Sequence, residues 1–228
     1  VAAAARGQIT DLPEGLGQGY GTNADQIYIW KNQVEDVGAP QGGPVIYGSF
    51  DWKDPSVANT VIQASVPPGK SSSGTTMLHP ALVPGARAMA TSGTGGHNTM
   101  LVGFGVSADR GQFLYNADKD RVDLFWPKDG DAVIAAKIRE RVLAIAGQGS
   151  KVINTNKIVN STWHSLGGAC IDVVCDMEGR VKGQKGLYVL DGALMPGTTC
   201  AANPSMTIAA VVERALDRIV RTDIGTVI

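Results

Sequence analysis

The chain has 228 residues, with 20 Lys plus Arg, 21 Asp plus Glu and a formal net charge of −1. This balance lacks the basic surface that nucleic acid or an anionic membrane attracts, so we expect neither as a partner. Hydrophobic residues make up 43% and charged residues 18%, which is typical of a folded chain and excludes a disordered one. No apolar run approaches the roughly 20 residues of a membrane-spanning helix, so no stable membrane insertion is expected.

The chain start and the cysteines leave the compartment open. Residues 1–5 read Val-Ala-Ala-Ala-Ala, which is too short for a signal peptide and has no basic start. Because an initiator Met is absent, we expect a chain that begins after processing or is a fragment of something longer. Cys170, Cys175 and Cys200 are an odd number without metal-like pairing, so free or partly buried thiols with room for one disulfide are expected. A soluble protein is expected, and secretion or a periplasmic location remains open.

The first half of the chain predicts strands separated by loops. Residues 7–25 are Gly-rich and turn-like, and residues 69–76 form a polar loop. Alternation and short apolar runs predict strands over Gln26–Trp30, Pro44–Phe50, Thr60–Val66 and Met100–Val106. A hairpin follows, with strands over Gly111–Tyr115 and Arg121–Trp126 joined by a turn over Asn116–Asp120. These elements indicate an antiparallel sheet over residues 26–126.

Capping residues and apolar spacing predict two helices. Asp129–Ala146 has carboxylates at its first and third positions, where they satisfy free amides and complement the helix dipole, and Gly147 ends it. A last helix opens at Asn203 and Pro204 and runs to about Arg221, because Asn is a good N-cap and Pro is favoured in the first turn. The long first helix is expected to lie behind the sheet.

From Trp163 onward, an ordered set of motifs carries a family resemblance. They are Trp163-His164-Ser-Leu-Gly-Gly168, Gly179-Arg180-Val181, Gly186-Leu-Tyr-Val-Leu-Asp191-Gly192, Pro196-Gly197 and Ala202-Asn203-Pro204, followed by Thr207-Ile208 and Glu213-Arg214. In order and spacing, the set resembles the C-terminal part of the glucose–methanol–choline (GMC) oxidoreductase family. The segments Gly15–Asn23 and Gly111–Trp126 are similar to the bacterial cholesterol oxidases of the non-covalent FAD type within that family.

The resemblance implies a mixed fold, α+β or α/β, and FAD as cofactor. The chain is expected to be the C-terminal half of a flavoenzyme, with a mostly antiparallel substrate-domain sheet plus the last strand, Leu187–Leu190, and last helix of the FAD-binding domain. Residues 1–25 would join the two domains, 26–158 would bind substrate, and 159–228 would hold the active-site loop. No Gly-x-Gly-x-x-Gly motif follows a strand, and Gly93–His97 precedes no helix, so we expect a partner polypeptide carrying the dinucleotide-binding unit.

The resemblance also assigns the site residues. His164 matches the family's active-site His, and an imidazole suits acceptance of a hydroxyl proton. Asn203 matches a second active-site position, where an amide bonds the substrate oxygen or reduced flavin; the alternative is that it only caps the last helix. Asp191 and Gly192 would touch FAD, or form an ordinary turn. The last helix aims its positive end at the flavin, and the remaining candidate contacts are Ala202, Pro204 and Ser205.

Gln63 marks a departure from the cholesterol oxidase pattern. Aligning residues 60–67 puts Gln where that group has a Glu thought to move a proton during double-bond isomerisation. An amide cannot shuttle a proton, so isomerisation is expected to be lost or weak, or the substrate is not a 3-hydroxy-5-ene sterol. The alternative is that Gln63 is an outward-facing strand residue. His79 and His97 are expected to be surface or lid residues.

The resemblance implies an FAD-dependent alcohol oxidase. Its expected substrate is a secondary hydroxyl on a hydrophobic, sterol-like molecule, with O₂ as electron acceptor and H₂O₂ as product. Two alternatives stay open: a family dehydrogenase that uses another acceptor, and a non-catalytic subunit that kept the fold. The sequence contains no Gly-x-Ser-x-Gly elbow and no metal-ligand cluster, so hydrolase and metalloenzyme functions lack support.

Overall fold

The computed structural model describes residues 1–31, 48–64, 98–158 and 160–228. The strands in these ranges are β1 Gln26–Lys31, β2 Gly48–Asp51, β3 Asn59–Ala64, β4 Asn98–Gly105, β5 Gln112–Asn116, β6 Arg121–Phe125 and β7 Lys151–Asn154. The α-helices are α1 Ala2–Ala5, α2 Ala132–Ala146 and α3 Pro204–Thr222, and short 3₁₀ turns span Pro55–Val57, Thr155–Lys157 and Gly192–Leu194. No helix in this part of the chain has the length and apolar character that crossing a bilayer requires.

Five strands form one antiparallel sheet in the order β2-β3-β4-β1-β7. Because side chains alternate across a pleated strand, Tyr28, Val61 and Leu101 lie on one face, where they pack with Ile138 of α2. The opposite face carries a second buried cluster, consisting of Ile27, Ala64, Val102 and Phe104. The sheet therefore buries apolar side chains on both faces, which accounts for the apolar run over residues 100–104 of β4.

The chain divides into two compact units. The sheet unit comprises Ala24–Val106 and Ala132–Thr162, and its described part contains the five-stranded sheet and α2. The terminal unit comprises Val1–Asn23, Ser107–Asp131 and Trp163–Ile228, and contains the β5–β6 hairpin and α3. The roles assigned above to residues 1–25, 26–158 and 159–228 stay predictions.

The predicted fold class is confirmed as a mixed α/β chain with a mostly antiparallel sheet. The expected strands agree with β1, β4, β5 and β6 within two residues at each end. The strands expected over Pro44–Phe50 and Thr60–Val66 correspond to β2 and β3 where the chain is described. Several predictions fall outside the described residues: the strand residues 44–47 and 65–66, the polar loop 69–76, Gly93–His97, His79 and His97.

Two local predictions are wrong, and one strand was missed. Helix α2 begins at Ala132 instead of Asp129, because Asp129 adopts a left-handed φ of 60° that cannot continue a right-handed helix. The expected strand Leu187–Leu190 does not form, and Tyr188 makes only an isolated bridge with Arg180. Strand β7 was not predicted, since its four residues are too few to show a pattern.

A charged cluster fixes the C-terminal end of α3. Arg180 donates from Nε to Asp223 Oδ2 at 2.7 Å and from Nη2 to Oδ1 at 2.9 Å, and the Tyr188 hydroxyl donates to the same carboxylate at 2.6 Å. The Asp223 side chain is 5% exposed. The Arg180 guanidinium, together with the hydroxyls of Thr222 and Tyr188, holds the pKa of the Asp223 carboxyl well below its usual range. The Gly179-Arg180-Val181 motif thus anchors α3.

Replacing Asp223 with Asn is expected to lower the free energy of unfolding at neutral pH. It is also expected to make that free energy fall less steeply as the pH is lowered. Because the Asp223 pKa is lower in the folded state than the value of about 3.9 for an unfolded Asp, the stabilisation is present above about pH 4 and is lost as pH falls toward the folded pKa. Urea unfolding midpoints at pH 7, 5 and 3 measure this.

The exposed pair Arg221–Asp217, with side chains 72% and 68% exposed, supplies the control for this prediction. Asp217→Asn is expected to change the free energy of unfolding by less than about 0.5 kcal/mol, because exposed ion pairs contribute little. An Asp223→Asn protein that loses stability between pH 5 and pH 3 as steeply as the parent would contradict the assignment.

Candidate functional site

His164 lies in a loop whose backbone is held from the neighbouring residues. Its side chain is 6% exposed. Leu166 exchanges both backbone hydrogen bonds with Gly21, at 2.8 and 3.0 Å, and Ser165 Oγ lies 3.1 Å from the Tyr20 hydroxyl. The imidazole is therefore a buried group in a fixed loop, unlike the surface position that a lone loop His usually occupies.

Gly21 and Gly167 allow the backbones of three chain segments to come into direct contact. A Cβ atom added at Gly21 would lie 1.9 Å from the carbonyl oxygen of Gly197. A Cβ atom added at Gly167, whose φ is +76°, would lie 2.1 Å from the carbonyl oxygen of Gly19. No side chain fits at either distance, so residues 17–23 touch both the His164 loop and the turn that contains Gly197 only because these positions are Gly.

The turn at Asp191 and Gly192 lies against the His164 loop. Asp191 Oδ1 accepts a hydrogen bond from the Ala193 N–H at 2.7 Å and caps the following 3₁₀ turn. A Cβ atom added at Gly192 would lie 2.9 Å from the Ser165 carbonyl oxygen and 3.3 Å from Ile208 Cδ1 of α3. The predicted cofactor-contact turn is thus packed between the residue after His164 and the first turns of α3.

Asn203 caps α3, as one of its two predicted roles requires. Its Oδ1 accepts from the Ser205 N–H at 3.1 Å and from Ser205 Oγ at 2.6 Å. The Nδ2 group is a hydrogen-bond donor with no partner among the described residues. Ala202, Asn203 and Ser205 are exposed, whereas Pro204 is buried. Since the first N–H groups of a helix have no acceptor within it, this end of α3 offers donors and positive potential to a ligand.

Asn23 is a site residue that sequence reasoning missed. It is fully buried, and its Nδ2 donates to Thr199 Oγ1 at 3.0 Å and to the Ala202 carbonyl at 3.1 Å. Its Oδ1 accepts from Thr198 Oγ1 at 2.8 Å and from the Thr199 N–H at 3.0 Å. These four bonds use the whole capacity of an amide. The available signal was an Asn that ends a Gly-rich stretch, Gly15–Asn23.

The terminal unit brings most of the predicted site segments together. Gly21 joins the His164 loop, and Asn23, two residues later, joins Ala202 directly before Asn203. One short segment therefore connects the chain around the imidazole to the chain around the capping amide. The predicted site residues in this unit are His164, Asp191, Gly192, Ala202, Asn203, Pro204 and Ser205.

Gln63 belongs to the sheet unit. It lies on β3, and its Nε2 donates to Thr99 Oγ1 at 3.1 Å. Because Gln63 pairs with Leu101, it lies on the sheet face that carries α2, where its side chain is half-buried. The side chain lines an open pocket of about 270 Å³ together with Trp30 and Ile145.

The cysteines and other ligating side chains do not form a second centre in the described ranges. All three cysteines are free thiols, with Cys170 and Cys175 buried and Cys200 exposed. Burial raises the pKa of the Cys175 thiol to about 11, so it stays protonated and unreactive at neutral pH. Over the same residues, no group of three or more His, Cys, Asp or Glu side chains is arranged to hold a metal ion.

Residues 127–211 match the C-terminal family model of GMC oxidoreductases. The match supports the predicted resemblance to the C-terminal part of that family and implies FAD, the expected cofactor. Among solved structures, the chain is similar to an FAD-dependent oxidoreductase from Chaetomium thermophilum in complex with a butanamide fragment, at 14% identity and a TM-score of 0.45. The similarity covers 92% of this chain and 49% of that one, so this chain spans about half of that protein's length.

Proposed function

We propose that the chain is the C-terminal portion of an FAD-dependent alcohol oxidoreductase and supplies the groups that handle the substrate hydroxyl. The supporting observation is that the segments of His164 and Asn203 are joined through Gly21 and Asn23, and that both residues lie within the GMC match over 127–211. In this proposal, residues 26–158 bind substrate, 159–228 complete the FAD domain, and a partner polypeptide carries the dinucleotide-binding half.

The residues at the start of α3 fit the ring system of a flavin. Asn203 Nδ2 and the first N–H groups of the helix offer donors at an exposed position, and the positive end of the helix stabilises negative charge on a reduced ring. When bound, FAD supplies the acceptor for the hydride. The proposed contacts are Asp191, Gly192, Ala202, Asn203, Pro204 and Ser205.

The two active-site side chains have different chemical roles. Oxidation of an alcohol removes a hydroxyl proton and a carbon-bound hydride, so the protein must accept the proton or polarise the O–H bond. His164 can accept a proton on its ring, and its buried loop keeps the imidazole in place. Asn203 cannot act as a base, but its uncommitted Nδ2 can donate a hydrogen bond to the alcohol oxygen or to the reduced flavin.

For the substrate, we propose a hydrophobic, sterol-like molecule with a secondary hydroxyl. The similarity of Gly15–Asn23 and Gly111–Trp126 to cholesterol oxidases supports this class, as does the largely apolar pocket beside Gln63, which Trp30, Leu101 and Ile145 line. We further propose that O₂ takes the electrons and is reduced to H₂O₂.

The proposal is tested on the purified protein together with whatever polypeptide accompanies it. A 3-hydroxysteroid and a series of smaller secondary alcohols are mixed with it anaerobically while flavin absorbance is followed, and peroxide is measured after air is admitted. We expect bound FAD that bleaches with the hydrophobic alcohol and then yields peroxide. Bleaching without peroxide would indicate a dehydrogenase, and a flavin that no alcohol bleaches would indicate a non-catalytic subunit.

Changing Gln63 to Glu is expected to add isomerase activity on a 3-hydroxy-5-ene sterol. A carboxylate can carry a proton between two carbon atoms of the substrate, which an amide cannot do. We expect a gain of about 10²-fold over background, the lower end of what a positioned proton carrier contributes, read from the absorbance of the conjugated enone. Gln63→Met is the control of similar size. Oxidation by the Glu variant without any enone would count against the alignment at this position.

A further inference from the structure

We propose that Asn23 is a positioning residue for the cofactor end of α3. It holds the turn over residues 198–202 so that the Asn203 amide and the first N–H groups of the helix meet the flavin ring. The inference rests on the proposed function, because it assigns this residue a role toward the same cofactor.

The first argument is that Asn23 makes all of its side-chain hydrogen bonds to one turn, that over residues 198–202. Its two donors and two acceptor positions all engage atoms of Thr198, Thr199 and Ala202, and the residue is fully buried. Thr199 Oγ1 closes the arrangement by donating to the Ala202 carbonyl at 3.0 Å. The position and angle at which the chain enters α3 are therefore set by a side chain that lies 180 positions before Asn203 in the sequence.

The second argument is that the turn adopts a costly conformation. Cys200 has a φ of 61°, in the left-handed region that residues with a Cβ atom rarely occupy. Its N–H donates to Thr198 Oγ1 at 2.9 Å, and Thr198 Oγ1 in turn donates to Asn23. Asn23 thus bonds a turn that holds a residue in a rarely occupied conformation, and such conformations cluster at ligand-binding sites.

The third argument is that Asn23 connects the two halves of the site. Gly21 pairs in both directions with Leu166, two residues after His164. Asn23 follows Gly21 by two residues and bonds Ala202, the residue before Asn203. The distance between the imidazole loop and the start of α3 is therefore set along one short piece of chain, and Asn23 determines one end of it.

Two substitutions of Asn23 separate the effect of losing its hydrogen bonds from the effect of adding a charge. Asn23→Asp keeps the Oδ1 acceptor and removes both donations, whereas Asn23→Ala removes all four bonds and adds no charge. In both, we expect the backbone amides over residues 199–202, where Thr199, Cys200 and Ala202 donate within the turn, to exchange with deuterium about tenfold faster, since local opening sets their protection. The amides of Gly21 and Leu166 are expected to keep theirs.

Asn154→Asp is the matched control in the sheet unit. This change likewise keeps an Oδ1 that accepts from a backbone N–H, that of Asn156, and removes a side-chain donation, that to Gln26. We expect no change in exchange over residues 199–202.

The second measurement is the midpoint potential of the bound flavin in the whole protein. When α3 is no longer held against the ring, we expect the preference for the reduced form to fall about tenfold, which is about 30 mV for a two-electron couple. A merely structural role would lower the unfolding temperature and leave the potential of the folded protein unchanged.

The outcomes distinguish this inference from the proposed function. A parent protein without bound flavin contradicts the proposed function. If the parent contains flavin and both Asn23 variants show unchanged exchange over residues 199–202, the inference alone is overturned. Faster exchange with an unchanged potential overturns it as well. If the Ala variant does not fold, the Asp variant decides.

Discussion

Replacing His164 with Ala is expected to lower turnover by about 10²- to 10⁴-fold, the contribution of a positioned proton acceptor, while FAD content changes little. The physical reason is that the loop is held by backbone bonds between Leu166 and Gly21, which do not depend on the imidazole. Steady-state turnover and the flavin-to-protein absorbance ratio measure the two quantities separately.

A second variant tests the chemistry assigned to His164. His164→Gln keeps a hydrogen-bonding side chain that cannot accept a proton, so its turnover is expected to stay close to that of the Ala variant. Unfolding temperatures of both variants show whether the fold is intact. Turnover at the parent level in a folded Ala variant would remove His164 from its proposed role.

Replacing Gly21 with Ala is expected to destabilise the protein by about 3 kcal/mol or more, at the upper end for overpacking. The new Cβ atom would lie 1.9 Å from the Gly197 carbonyl oxygen, and a backbone atom cannot move aside as a flexible side chain can. The unfolding temperature is expected to fall by roughly 6–12 °C for a chain of this size.

Gly7→Ala is the control for this prediction. Gly7 has a φ of +67°, but a Cβ atom there would meet nothing within 4 Å. The expected cost is therefore only that of a left-handed Ala, about 1 kcal/mol. Equal losses of stability in the two variants would show that the crossing at Gly21 is not tightly packed.

The sequence predicted elements well where local chemistry determines them. Asn203 and Pro204 predict the start of α3, and Oδ1 of Asn203 caps the helix as expected. The β5–β6 hairpin follows from its two apolar runs and intervening polar turn. The strand predicted over Leu187–Leu190 does not form, because a long-range contact determines the conformation there. The Tyr188 hydroxyl bonds the buried Asp223 carboxylate, and a four-residue apolar run does not reveal that partner.

The site was predictable in its residues but not in its construction. His164 and Asn203 stood out through a resemblance that covers the end of the chain. Asn23 did not, because its importance comes from Thr199 and Ala202, more than 170 positions away, and no local pattern encodes such contacts. The same limit applies to Gly21. The reason that this position must lack a side chain is the Gly197 carbonyl oxygen beside it, which only the structure shows.

The terminal unit is built from three pieces of sequence, and this has a consequence for biosynthesis. The described core clusters of the sheet unit contain no residue beyond Thr162, so this core can form while the ribosome is still making the last third of the chain. Residues 1–23 must wait, because Tyr20 and Asn23 find partners 145 and 176 positions later. Closing such large loops costs entropy and is slow. The Gly-rich stretch of the nascent chain therefore stays unpaired until the last residues are made, and chaperones have most to protect during that time.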